Sequence, residues 1–373
     1  MERKLAHIEK ITEIRPIPGA DKIEVATILG WEVIIKKGDF KIGDKVVYVE
    51  IDSIMPALPE FEFLKDRKYR IRTIKLRKQI SQGICFPLSI MDIKSHYWKE
   101  YNYKEGDDVT EDLGVVKYDP QLSKEGSIND NPPKNFIIKF LMRYKLYRKF
   151  FTKSGKRGWP PFISKTDEER IQNIPNICVK EAHTEFIETE KLDGQSASYA
   201  LLKLKRKFWY LKDHYEFFVC SRNIHLKKPD NSSYWRIAKQ LNIEKVLHNI
   251  MFDTDEYVII QGEIIGEGIQ KNKYQIKGLD FYVFNVIHSW CCKKDDDQTM
   301  RYDIDHIIKC VPLINHSSFL MSSIQECVEK SKGKSSLANI NREGIVLRNY
   351  EKNISFKIIN PDFLLQYQDE DEE

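Results

Sequence analysis

The chain lacks the features that mark secreted or membrane proteins. Its 373 residues include only seven cysteines, an odd number, and no two are spaced Cys-x-x-Cys. A disulfide framework and a structural zinc site are therefore not expected, and reduced thiols suit an intracellular protein. No uncharged run reaches the length of a membrane span, and Met1-Glu2-Arg3-Lys4 leads into alternating sequence rather than an apolar signal core. The expectation is a cytoplasmic or nuclear monomer with no membrane partner. Charge of one sign is also missing. The net charge of +4 permits nucleic-acid binding without demanding it, so the local distribution of charge must decide. No internal repeat is present. Hydrophobic content of 41% and aromatic content of 12% suffice for folded cores, and the length exceeds what one core usually serves.

Four regions follow from patterning. Residues 1–115 are β-rich, with short alternating runs punctuated by Gly, Pro and Asp, which predicts a small barrel. Gly30 lies between Val25–Ile28 and Trp31–Ile35, as in a hairpin. From Lys65 to Lys78, eight of fourteen residues are Lys or Arg, interleaved with Tyr69, Ile71, Ile74 and Leu76. A strand there would bury its apolar residues and turn a cationic face to phosphates, unless it is an edge strand guarded by lysines. Residues 116–165 form a basic connector, in which no acid occurs between Asp130 and Asp167. Residues 166–366 alternate strand-like runs with helical periodicity over Ser233–Met251 and Ser322–Lys332. Residues 367–373 make a short acidic tail.

The chemistry centres on Lys191-Leu192-Asp193-Gly194 between two β-like runs. Lysine is a compact amine nucleophile, glycine allows close backbone approach, and aspartate can help to hold a metal ion. Free lysine titrates near ~10.4, so a nucleophilic lysine needs nearby cations or a metal ion. Arg222 and Lys357 are candidates for that cationic neighbourhood and for gripping phosphates. Glu263 ends a strand beside glycines and Glu343 begins another; with Asp193 they would accept ribose hydroxyls and hold hydrated Mg²⁺. Phe281 or Phe284 would stack on a purine. Singly, each also fits an ordinary core or surface position.

Their order along the chain resembles the covalent nucleotidyltransferases, and among them the ATP-dependent RNA ligases with an N-terminal OB-type domain. The residues that carry the likeness are Lys191-x-Asp193-Gly194, Ser221-Arg222-Asn223, Gly262-Glu263, Phe281 to Asn285, Glu343-Gly344-Ile345-Val346 and Phe356-Lys357-Ile358, with Lys165 to Asn173 as a lead-in. Ile17 to Ile23 and Gly43 to Tyr48 resemble the OB-type domain. The resemblance implies an α+β protein: an OB-like β-barrel, then an α/β nucleotidyltransferase domain, ATP-grasp-like and built on antiparallel sheets.

It also implies that Lys191 attacks ATP and carries AMP covalently. Lys357 and Glu343 would assist catalysis. Arg170, Glu190, Asp193, Gly194, Arg222, Glu263 and Phe284 would bind the nucleotide, with Phe284 preferred to Phe281 for the adenine. Asp193, Glu263 and Glu343 would hold Mg²⁺ or Mn²⁺. The expected partners are ATP and RNA with 3′-hydroxyl and 5′-phosphate ends, joined by way of an adenylated 5′ end. Two positions depart from the pattern. Ile359 stands where these ligases have a second lysine, and Asn285 where the superfamily has an acid. DNA ligases and capping enzymes carry a further domain after the position of Lys357, where only residues 358–373 follow here. The alternative is an inactive RNA-binding protein that keeps the ligase fold. On the same reading, the N-terminal half would recruit RNA and leave ATP chemistry to the second half.

Overall fold

The computed structural model describes residues 4–94, 103–118, 159–204, 213–227, 229–289 and 307–367. The basic segment 134–157, the expected strand Phe208–Leu211 and residues 368–373 lie outside them. The first strands are β1 (Ala6–Pro16), β2 (Ile23–Ile28), β3 (Trp31–Lys36), β4 (Lys45–Val49) and β5 (Ser53–Ile54). They continue as β6 (Arg70–Ile71), β7 (Thr73–Leu76), β8 (Gln79–Gln82), β9 (Ile84–Pro87) and β10 (Val116–Lys117). One antiparallel sheet runs β3-β2-β1-β4-β9, with short sheets β10-β5-β6 and β7-β8 beside it. The register of β1 shifts between Ile11 and Glu13, and this bulge lets the strand pair with β4 along its first half and β2 along its second. Ile8, Trp31, Val47, Tyr48 and Phe61 share one core.

The cationic stretch is not the single strand that its alternation predicts. Residues 59–67 coil into a 3₁₀ helix, and the extended run is split into β6 and β7, which belong to different sheets. Arg70 is buried rather than displayed, whereas Leu76 is exposed at the tip of the β7–β8 hairpin, where Arg77 and Lys78 both take positive φ.

The second half contributes β11 (Glu169–Arg170), β12 (Phe186–Lys191), β13 (Gln195–Leu204), β14 (His214–Cys220) and β15 (Tyr257–Gly266). After them come β16 (Leu279–His288), β17 (Leu313–Ser318), β18 (Gly344–Asn349) and β19 (Ile354–Ile359). They build two sheets, β11-β19-β18-β12-β17 and β14-β13-β15-β16. All the pairings are antiparallel except β11 on β19, so the expectation of antiparallel sheets holds with one edge reversed.

Helices α1 (Ser233–Gln240) and α2 (Ile243–Ile250) cover the second sheet with Tyr234, Ile237, Val246, Leu247 and Ile250. The sequence predicts one helix over this region. It breaks because Asn242 adopts the left-handed conformation, which asparagine tolerates better than most residues. Helix α3 (Ile324–Ser331) packs Ile324 and Cys327 against the first sheet. Helix α4 (Pro361–Tyr367) sets Leu364 against the N-terminal core.

The halves meet at the β2–β3 turn. The Gly30 N–H donates to the Gln172 carbonyl at 2.9 Å, and Trp31 Nε1 donates to Asn173 Oδ1 at 2.7 Å. A Cβ on Gly30 would lie 2.6 Å from Ile324 Cδ1 and 2.9 Å from Gln172 Cα, so only glycine allows this approach. Gly30→Ala should lower stability by about 1–3 kcal/mol through overpacking. Thermal denaturation reads this directly, and an unchanged melting temperature would show that the halves are not held together here.

Candidate active site

Strand β12 ends at Lys191 in one sheet and β13 starts at Gln195 in the other, so Leu192, Asp193 and Gly194 cross between them. The crossing is tight. A Cβ on Gly194 would sit 2.3 Å from the Ile264 carbonyl oxygen, so the close approach of β15 already requires glycine here. In the β12–β18 ladder Lys191 pairs with Gly344, which brings Glu343 alongside, and Lys191 Nζ lies 2.6 Å from Glu343 Oε2. The Asp193 N–H donates to the Tyr274 hydroxyl at 2.8 Å, and its carboxylate accepts Lys273 Nζ at 2.5 Å. Glu263 enters from β15, opposite Ser196.

The amine's surroundings are acidic, not cationic as the sequence suggested. Burial alone would lower the Lys191 pKa, but Glu343, Glu263 and Asp193 outweigh it and raise it. Within the pair, burial and Asp193 push Glu343 up while Lys191 pulls it down; with the ammonium 2.6 Å away, we assign both groups their charged forms. Burial, with help from Glu343 and Asp193, lifts Glu263 to about 8.

Arg222 and Lys357 converge elsewhere, on Asp167. Lys357 Nζ approaches Oδ1 at 2.9 Å, while Arg222 Nη2 and Lys117 Nζ approach Oδ2 at 2.8 and 3.0 Å. Burial would raise the Asp167 pKa, but these three cations hold it far below the usual carboxylate range. Arg170, in register with Lys357 across β11 and β19, is held by Asp52 of the N-terminal half at 2.8 Å. Arg70 reaches the same carboxylate at 3.3 Å and stacks over Tyr118, 3.5 Å from the ring centroid.

All ten residues singled out from the sequence, namely Arg170, Glu190, Lys191, Asp193, Gly194, Arg222, Glu263, Phe284, Glu343 and Lys357, border one cavity of about 280 Å³. Phe284 packs there with Leu192 and Val311, and the Arg348 guanidinium lies 5.7 Å from its ring. Phe281 is corrected to a core residue, fully buried edge-on against Tyr199. Glu190 accepts the Ser336 N–H at 2.8 Å through Oε2, leaving Oε1 a buried acceptor without a partner. Ile359 forms part of the cavity wall. Asn285 lies away from the cavity, where its amide donates to Gln261 Oε1 at 3.2 Å, a buried contact that an amide makes without charge.

Sequence reasoning missed Asp52, Arg70, Lys117, Lys273 and Arg348, all of which border the cavity, as well as Tyr274 behind Asp193. Asp52, Arg70 and Lys117 arrive from the other half of the chain and Lys273 and Tyr274 from a loop, with no motif around them, whereas Arg348 lies on β18 just past the Glu343 motif. The N-terminal half also contributes to this cavity, since Asp52, Arg70, Thr73 and Lys117 share its wall.

Among the described residues, no three His, Cys, Asp or Glu side chains are gathered closely enough to hold a metal ion unaided. Asp193 and Glu343 each already face a lysine. Glu263 fits a divalent ion, because its carboxylate is forced toward neutrality beside two other acids and a cation would relieve that. Such an ion would keep several waters and share phosphate ligands, as Mg²⁺ commonly does.

An RNA ligase family model matches residues 184–359, and an OB-fold domain model matches residues 5–88. Naegleria gruberi RNA ligase with PPi superposes with a TM-score of 0.77 at 30% identity, covering 99% of this chain and 100% of that one. The chain belongs to the RNA ligase family. A variant of the Naegleria gruberi ligase with ATP and Mn is 31% identical to this ligase, with a TM-score of 0.75 and 98% of each chain covered. Another variant, with AMP and Mn, is also 31% identical and has a TM-score of 0.76, with 98% of this chain and 100% of that one covered. No curated protein sequence matches the ligase significantly.

The position of Glu263 sets a pH dependence. Below about pH 4.5 its carboxyl is neutral in folded and unfolded chains alike; as pH climbs toward about 8 only the unfolded chain ionises, and stability falls. Glu263→Gln should therefore melt at a higher temperature than the parent at pH 8.5, and the gap should close toward pH 4.5. Parallel curves of melting temperature against pH would contradict this account of Glu263.

Proposed function

We propose that this ATP-dependent RNA ligase joins RNA 3′-hydroxyl and 5′-phosphate ends through AMP carried on Lys191. The observation that supports this best is the convergence of Lys191, the three acids, Phe284 and the Arg222–Lys357 cation group on one cavity. In the first step Lys191 Nζ attacks the α-phosphorus of ATP, an N–P bond forms, the Pα–O–Pβ bond breaks and pyrophosphate leaves. The amine must first lose a proton, and Glu343 Oε2 at 2.6 Å is the nearest acceptor. An RNA 5′-phosphate oxygen then attacks the same phosphorus and breaks the N–P bond. Finally the 3′-hydroxyl displaces AMP from the adenylated end.

The residues divide this work. Phe284 offers a stacking face for adenine, with Leu192 and Val311 as apolar walls. The unpartnered Glu190 Oε1 suits a donor such as the exocyclic amine. Arg170, Arg222 and Lys357 grip phosphates. Bound Mg²⁺ or Mn²⁺ would neutralise phosphate charge at Glu263, Glu343 and Asp193. The exposed Lys75, Arg77 and Lys78 hairpin suits the RNA backbone.

Incubation with α-labelled ATP and Mg²⁺ or Mn²⁺, followed by denaturation, should leave acid-labile label on the protein, and Lys191→Ala should abolish it. Label on that variant would remove Lys191 as the carrier of AMP, and none on the parent would favour an inactive RNA-binding protein. Phe284→Ala should raise the KM for ATP about tenfold in the same assay, given ~1–3 kcal/mol for base stacking. An unchanged KM would place adenine elsewhere.

A further inference from the structure

We infer that Lys117, Arg222 and Lys357 form one phosphate site and that the Asp167 carboxylate occupies it as a place-holder until a phosphate group displaces it. The inference rests on the ligase reading and adds to it a third cation, from the N-terminal half, and a resident anion.

The geometry is that of an occupied anion site. Three cations arrive from β10, from the turn after β14 and from β19, and all meet a single carboxylate within 3.0 Å. Both of its oxygens are used, as two oxygens of a phosphate would be. A phosphate dianion would bring these cations more negative charge than one carboxylate does. Without an anion the three like charges would repel, so the place-holder keeps them converged.

Asp167 is also placed to leave. It lies in irregular chain just before β11, and its side chain is 34% exposed. The chain on either side is held: Gln261 Nε2 donates to the Ser164 carbonyl at 2.8 Å, Thr166 Oγ1 bonds Ser196 Oγ at 3.0 Å, and Glu169 pairs with Phe356. Rotation of the side chain alone can therefore empty the site. The same cavity contains Lys191, so the displacing phosphate comes either from ATP or from the 5′ end of RNA.

The test is calorimetric binding of inorganic pyrophosphate and, separately, of a 5′-phosphorylated RNA oligonucleotide to the full chain, as the parent, Asp167→Asn and Lys117→Met. Asp167→Asn should bind one of these ligands about three- to tenfold tighter, and Lys117→Met should bind the same ligand weaker by a similar factor. A response with pyrophosphate assigns the site to ATP, and a response with RNA assigns it to the 5′ end. Asp167→Asn should also melt lower than the parent without ligand and gain more from the responding ligand, a readout that does not depend on affinity.

Unchanged or weaker binding of both ligands by Asp167→Asn would overturn the place-holder. Unchanged binding of both by Lys117→Met would overturn the three-cation site. Label transfer from ATP to the parent is measured alongside. Its failure counts against the ligase reading, whereas altered phosphate binding with intact labelling bears on Asp167 and Lys117 alone.

Discussion

A single amine set among carboxylates governs the rest of this structure. Lys191 has Glu343 at 2.6 Å, with Glu263 and Asp193 close enough to raise its pKa further. That arrangement holds the amine as an ammonium, which is not a nucleophile. It also concentrates negative charge on one wall of the cavity, and Lys273 on Asp193 offsets part of it. A cation held by these acids would reverse the balance, giving them a better partner and favouring loss of the proton from the amine. Reactivity is thereby tied to occupancy, and an empty site has little capacity for stray chemistry.

The N-terminal half shares in this arrangement. Asp52 anchors Arg170, Arg170 lies in register with Lys357, and Lys117 joins Lys357 on Asp167. Cations from both halves are thus coupled on the cavity wall through short ion pairs, several of them shielded from solvent. Pairs of that kind are sensitive to the loss of either partner, because the remaining charge is left poorly solvated. A change at Asp52 therefore reaches Arg170 and the wall around Lys357 without touching Lys191.

Much of this was legible in the sequence, and the limits are physical. The lysine motif and Glu343 sit at strand ends, Glu263 and Lys357 lie within β15 and β19 rather than at an end as read for Glu263, and all of them reach the cavity. Alternation along β16 was also readable, but not which face is the core. Phe281 and Val283 turn to one cluster, while Tyr282 and Phe284 turn to the cluster that holds Leu192 and Val311. The break at Asn242 depended on a single φ angle that periodicity does not report. Lys273, Asp167 and Lys117 were invisible as a set, since their meaning comes from pairings across 80, 190 and 50 residues.

Those separations have a consequence for how the molecule comes into being. The cavity draws its wall from Ile51 through to Tyr367, and β19, which carries Lys357, pairs with both β18 and the much earlier β11. On the ribosome, where domains form as the chain emerges, the first sheet could fold early while the nucleotide wall waited for the last strand. Contacts of such long range also slow the final closure, since loop entropy must be overcome before they are made. Competence to bind nucleotide is then a late event in the life of each chain, and a ribosome-bound fragment would expose Lys191 with its acidic partners still unmade.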